Sequence, residues 1–141
     1  MTGKKAVSPG SEVKKVLLID DEIESLREII RFFENNNWKV STAIDEKEAI
    51  LELERVDPSL VLLDLVLEKE SGFEVLTQIK KMHPETRVII LSKYFDYELV
   101  KQAMKAGAIG FVQKGESNRL PSAFRSFLRG QPLEKSLQQR Q

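Results

Sequence analysis

Short apolar runs in this chain are closed, one after another, by residues that could do chemistry. Asp20 and Asp21 follow Val16-Leu17-Leu18-Ile19, Asp64 follows Leu60-Val61-Leu62-Leu63, and Ser92 follows Val88-Ile89-Ile90-Leu91. Lys114 stands just beyond a weaker run from Ile109 to Val112. Unbroken runs of this length are typical of strands buried on both faces. If the strands are parallel, their carboxyl ends share one edge of the sheet, and three carboxylates, a hydroxyl and an ammonium converge there. Neighbouring carboxylates raise one another's pKa or require a cation. Oxygen ligands on only two or three side chains suit Mg²⁺, which keeps several waters and takes phosphate oxygens as further ligands. Lys114 and Ser92 would then offer a point charge and a hydrogen bond to a phosphoryl group.

Taken singly, these residues say less. An Asp after a strand is often only the N-cap of the next helix, Ser92 reads as a turn residue, and Lys114 as a solvated lysine. Asp64 differs, because Leu65-Val66-Leu67 follows it and it therefore lies inside an apolar stretch.

Composition removes the competing chemistries. There is no Cys and only one His among 141 residues, so disulfides, thiolate zinc sites, cysteine nucleophiles and paired-histidine metal sites are excluded. His83, before Pro84, reads as a helix-end cap without chemistry. Twenty-two Lys and Arg balance 22 Asp and Glu, and Trp38 and the two Tyr are scattered, so neither a basic face nor an aromatic platform for nucleic acid is expected. No apolar run approaches the roughly 18 to 20 residues that span a bilayer, so no membrane contact and a cytoplasmic location are expected.

The elements that must position these groups alternate regularly. Ile23, Leu26, Ile29, Ile30 and Phe33 form a helical stripe after the first strand, ended by Asn35-Asn36-Asn37. Trp38, Val40 and Thr42 alternate with polar residues as in an edge strand, and Ala49, Ile50, Leu53 and Val56 mark the second helix. Phe73, Leu76, Ile79 and Met82 mark the third; Leu99, Val100, Ala103 and Met104, capped by Gly107, the fourth; Leu120, Ala123, Phe124, Phe127 and Leu128, between Pro121 and Gly130, the fifth. Five such β-then-α units predict an α/β domain with a doubly wound, five-stranded parallel sheet. An amphipathic second strand and a fifth interrupted by Gly110 suit the edges, which agrees with the order 2-1-3-4-5 and a crevice at the ends of the first and third strands. The domain is expected over residues 13–130, with a disordered leader at 1–12 and a polar tail at 131–141, leaving no room within this chain for an output domain.

From Lys14 to Gly130 the chain resembles the response-regulator receiver domains of two-component signalling, a flavodoxin-like fold. The resemblance rests on the acidic pair in Leu17-Leu18-Ile19-Asp20-Asp21, on Asp64, and on Gly72 eight residues later. It continues through Ser92, Ala103-Met104-Lys105-Ala106-Gly107-Ala108, and Phe111-Val112-Gln113-Lys114. It implies that Asp64 is a phosphoacceptor and that Asp20, Asp21, Asp64 and the main-chain carbonyl of Val66 hold Mg²⁺. By the same resemblance Ser92 and Lys114 clamp the phosphoryl group, and Phe111 is the aromatic residue that turns when Ser92 moves. The partners it implies are a sensor histidine kinase or histidine phosphotransfer protein upstream, and a protein target on the face of the fourth helix, fifth strand and fifth helix. A homodimer is also compatible with it, whereas direct nucleic-acid binding is not expected. Self-phosphorylation from a donor and self-dephosphorylation would be the only reactions, so the chain is not expected to be an enzyme.

Three residues depart from the family pattern. Glu68 replaces the usual Pro four residues after the phosphoacceptor, Lys93 replaces a small residue after the Ser or Thr, and Gly115 replaces the Pro that usually follows the Lys. They bear on phosphoryl lifetime and on the strength of the switch. The rival readings are a degenerate receiver acting without phosphate, a haloacid-dehalogenase-type phosphohydrolase and a flavodoxin-like FMN binder. Val66 stands where the phosphohydrolase needs a second Asp, and the acidic first loop is unsuited to a flavin phosphate.

Overall fold

The computed structural model describes residues 13–67, 70–115 and 122–128. Five strands, β1 (Lys14–Ile19), β2 (Trp38–Ala43), β3 (Leu60–Leu63), β4 (Val88–Ser92) and β5 (Gly110–Gln113), alternate with helices α1 (Arg27–Asn35), α2 (Glu46–Val56), α3 (Gly72–Met82), α4 (Tyr97–Lys105) and α5 (Ser122–Leu128). The strands form one parallel sheet in the order β2-β1-β3-β4-β5, as expected from the sequence.

Period-two alternation explains why the inner strands carry no polar face. On β1, β3 and β4, Leu17, Ile19, Val61, Leu63, Val88 and Ile90 pack against Ala49 and Leu53 of α2, Val75, Leu76 and Ile79 of α3, and Ala103 of α4. The intervening residues Val16, Leu18, Leu60, Leu62, Ile89 and Leu91 pack against Ile29 and Phe33 of α1 and Phe124 of α5. The covered positions of these inner strands are thus apolar on both faces, since helices lie on both sides, and only Lys14 and Lys15 at the start of β1 are exposed. β2, at the edge, buries only Ala43.

Several local expectations are corrected. The first helical stripe is not one helix: a 3-10 turn at Ile23–Leu26 precedes α1. Leu26 at the N-cap offers no oxygen to the free amides, and the chain tightens there, with the Ser25 amide and hydroxyl both donating to Glu22 O at 3.0 and 2.7 Å. Met82 and Met104, read as stripe positions, are exposed on the flanks of their helices. The fifth strand begins at Gly110 rather than Ile109, and Gly110 is buried and paired with Ile89. The leader at 1–12, the tail at 131–141, Glu68, Leu120, Pro121 and Gly130 lie outside the described residues. Among those that are described, no helix is long and apolar enough to cross a membrane.

Candidate functional site

Strand register fixes where the polar residues fall. Ile19 is paired with Leu63, so Asp20 and Asp64 emerge side by side, one residue past the paired positions. Main-chain bonds hold both: Asp64 N donates to Ile19 O and Asp20 N to Ala43 O, each at 3.0 Å. Ser92 is paired with Gln113, and Lys114 N donates to Ser92 O at 2.7 Å. Asp20, Asp64, Ser92 and Lys114 therefore share one edge, with Asp21 in the adjoining loop.

The side chains of the acidic half are held as firmly as its backbone. Asp20 Oδ1 accepts from Glu22 N at 2.9 Å, and Asp64 Oδ1 accepts from Val66 N at 2.9 Å. Asp20 thus makes a turn with its own loop and does not cap the following helical turn, whose N-cap is Glu22; its other oxygen accepts from Lys114 Nζ at 3.0 Å. The same ammonium stands 3.7 Å from Asp64 Oδ2. Lys114 and Asp20 are buried, so this ion pair is shielded from water. Burial, above all, pushes the Asp64 carboxyl up to about 6; the charge of Asp20 adds to this, while the Val66 amide and Lys114 oppose it.

Gly72 explains how the Asp64 loop is seated. A Cβ there would lie 2.4 Å from Leu65 Cα and 2.6 Å from Asp64 O, so only glycine lets the first turn of α3 close on this loop. Gly72 N donates to Leu65 O at 3.0 Å, and Val66 and Ser71 form an antiparallel bridge around the same turn.

The other half is held more loosely. Ser92 is buried, but its hydroxyl accepts only a long contact, 3.4 Å, from Tyr94 N. From Lys93 to Asp96 the loop is exposed. Phe111 is fully buried, and Phe95 meets its ring edge to face at a centroid distance of 6.0 Å.

A cavity of about 390 Å³ opens over these groups, lined by Asp21, Glu22, Asp64, Val66, Leu67, Lys93, Tyr94 and Lys114. Glu22, Leu67 and Tyr94 were not legible as site residues, because nothing in their spacing distinguishes them from loop positions. Lys93, one of the three departures from the family pattern, lines the cavity beside Lys114. Glu70 was missed as well. Its carboxylate accepts from Glu46 N at the start of α2, tying the loop after β3 to the neighbouring helix. His83 ends α3 as expected, its amide donating to Ile79 O, and lies away from this edge of the sheet.

Among the described residues, no group of three Asp, Glu or His side chains closes around a common point. The donor set still fits a hard divalent cation that keeps most of its waters, because such an ion needs only one or two carboxylates directly.

Comparison with known proteins agrees with this fold. The family model described as the response regulator receiver domain matches residues 16–125. The response regulator VraR of Staphylococcus aureus is 32% identical over 123 residues, covering 84% of this chain and 58% of that protein. The nitrogen assimilation regulatory protein NtrX of Azorhizobium caulinodans is 32% identical over 101 residues, 70% of this chain but 22% of its own length. The chain thus spans only part of the curated relatives it matches. A crystal structure of a response regulator from Burkholderia pseudomallei superposes with a TM-score of 0.73 at 25% identity, covering 89% of this chain and 71% of that one; its description names a phosphorylated aspartic acid, a calcium ion and citrate.

Proposed function

The chain belongs to the response regulator receiver domain family, and from that premise we propose that it accepts a phosphoryl group on Asp64 from a phosphohistidine. The observation that carries this reading is the placement of Asp64. Its Oδ1 is pinned by Val66 N, its Oδ2 stands 3.7 Å from the Lys114 ammonium, and the residue lines the cavity. One oxygen is therefore held and the other is left to attack.

In the proposed transfer, an oxygen of Asp64 forms the new bond to phosphorus as the P–N bond breaks, and the electron pair of that bond returns to the imidazole nitrogen. Positioning and charge do most of the work in such a step. Lys114 exchanges part of its contact with Asp20 for a phosphoryl oxygen, and the Ser92 hydroxyl, weakly engaged at rest, donates to another. Asp20, Asp21, Asp64 and the Val66 carbonyl would hold Mg²⁺, which when bound supplies positive charge against the phosphoryl oxygens.

The outcome is a change in contacts rather than turnover. Moving Ser92 toward the product frees the space beside Phe111 and shifts the loop that carries Phe95. The face formed by α4, β5 and α5 then presents a different surface to a downstream protein. A sensor histidine kinase or a histidine phosphotransfer protein is the proposed donor.

The test is labelling with phosphoramidate in Mg²⁺, followed by intact mass. Wild type should gain one phosphoryl group, and EDTA or Asp64→Asn should abolish the gain. Labelling that persists in Asp64→Asn would place the acceptor elsewhere.

A further inference from the structure

Lys114 is already committed. Its ammonium is buried between Asp20 and Asp64, at 3.0 and 3.7 Å, so most of its charge is spent on carboxylates. The cavity above it is walled by Asp21, Glu22 and Asp64, and a phosphodonor entering it is itself an anion. Like charges repel most where water is partly excluded, so an incoming phosphoryl group meets a barrier that Lys114 alone offsets poorly.

Lys93 is the other cation on the cavity wall, and its circumstances are the reverse. It is exposed, and among the described residues no carboxylate lies within 4.0 Å of its ammonium. Its backbone is nonetheless held: Gln113 Nε2 donates to Lys93 O at 3.0 Å, and the preceding Ser92 O accepts from Lys114 N at 2.7 Å. A fixed Cα carrying a flexible four-carbon stem lets an ammonium sweep the mouth of the cavity without moving the strand.

We propose that Lys93 is a donor-binding residue, whose ammonium contacts the phosphoryl oxygens of the incoming phosphodonor before transfer to Asp64. This rests on the reading of Asp64 as phosphoacceptor. It assigns the two lysines different tasks. Lys114 balances the acids and receives the product, whereas Lys93 draws the anionic substrate in.

The ligand class is a dianionic phosphoryl group on a nitrogen or acyl leaving group. Because the contact is exposed, its contribution is that of a surface charge pair, about threefold to fivefold in rate at low salt, and it weakens as salt screens it.

The experiment measures the second-order rate of Asp64 labelling by phosphoramidate at saturating Mg²⁺, from low to high ionic strength, in four proteins. Lys93→Met keeps the stem and removes the charge, so its rate should fall about threefold to fivefold at low salt and approach wild type at high salt. Lys93→Arg should restore both the rate and its salt dependence. Lys105→Met, at the far end of α4, should leave both unchanged. Equal rates and equal salt profiles in wild type and Lys93→Met would overturn the role of Lys93 while leaving Asp64 as acceptor. A faster Lys93→Met would also overturn it, making Lys93 an obstruction instead. Failure of wild type to label at all would overturn the underlying reading of Asp64.

Discussion

The two halves of the sheet edge are built to different standards. At the ends of β1 and β3, Asp20 and Asp64 each donate a main-chain bond to the neighbouring strand and accept a loop amide on one carboxylate oxygen. At the end of β4, the buried Ser92 hydroxyl accepts only a 3.4 Å contact, and the following residues 93–96 are exposed. A nucleophile must be held in one place before the reaction, whereas a group that reports the product must be free to move toward it. Short side-chain hydrogen bonds serve the first requirement, whereas in the second half the backbone at Ser92 and Lys93 is held and the Ser92 hydroxyl is not.

The largest test of this contrast is Gly72→Ala. The added methyl group would press on Leu65 Cα and the Asp64 carbonyl, which are backbone atoms of the loop that seats the proposed nucleophile. A loss of about 3 kcal/mol is expected, read as a lower urea midpoint. The labelling rate should fall further than the stability loss explains, because the Asp64 loop must shift. A change within about 0.5 kcal/mol would show that the acidic half tolerates movement, and the contrast would fail.

Next in size is the titration of Asp64. Its carboxyl is pushed up to about 6 in the folded protein, chiefly by burial and also by Asp20, from an ordinary value of 3.8. A carboxyl raised on folding binds more protons in the native state than in the unfolded state across that window. Its contribution is therefore greatest below about pH 4 and is lost as pH rises through about 6. Asp64→Asn escapes this loss. In EDTA it should be more stable than wild type at pH 7, by something of order 1–3 kcal/mol, and the gap should close below about pH 4. Urea midpoints for both proteins across this range check it; a gap that does not vary with pH would remove burial of the charge as its cause.

Legibility in the sequence divided differently, along the strands as against across the loops. Apolar runs ended by Asp20, Asp64 and Ser92 are local signals, and strand periodicity converts them directly into a shared edge. The amphipathic Trp38–Ala43 stretch marked an edge strand for the same reason. What the pattern did not carry was contact across loops. Nothing near Glu70 indicates that its carboxylate reaches the start of α2, and nothing near Phe95 indicates that its ring meets Phe111. The choice of Lys114 to sit closer to Asp20 than to Asp64 is likewise a tertiary outcome. The 3-10 start before α1 had a faint signal, the absence of a capping side chain at Leu26.

The smallest expected effect is Ser92→Ala, and it separates the two halves most sharply. In the resting protein the hydroxyl accepts one long contact from Tyr94 N, so removing it should change stability by no more than about 0.5 kcal/mol. In the phosphorylated protein the same hydroxyl is proposed to donate to a phosphoryl oxygen, a charge-assisted bond worth about 1.5–3 kcal/mol. The variant should therefore unfold at nearly the wild-type urea midpoint, yet fail to gain the stabilisation that labelling gives wild type. A comparable loss before and after labelling would mean that Ser92 is a structural residue of β4, and that the loosely held half has no separate task.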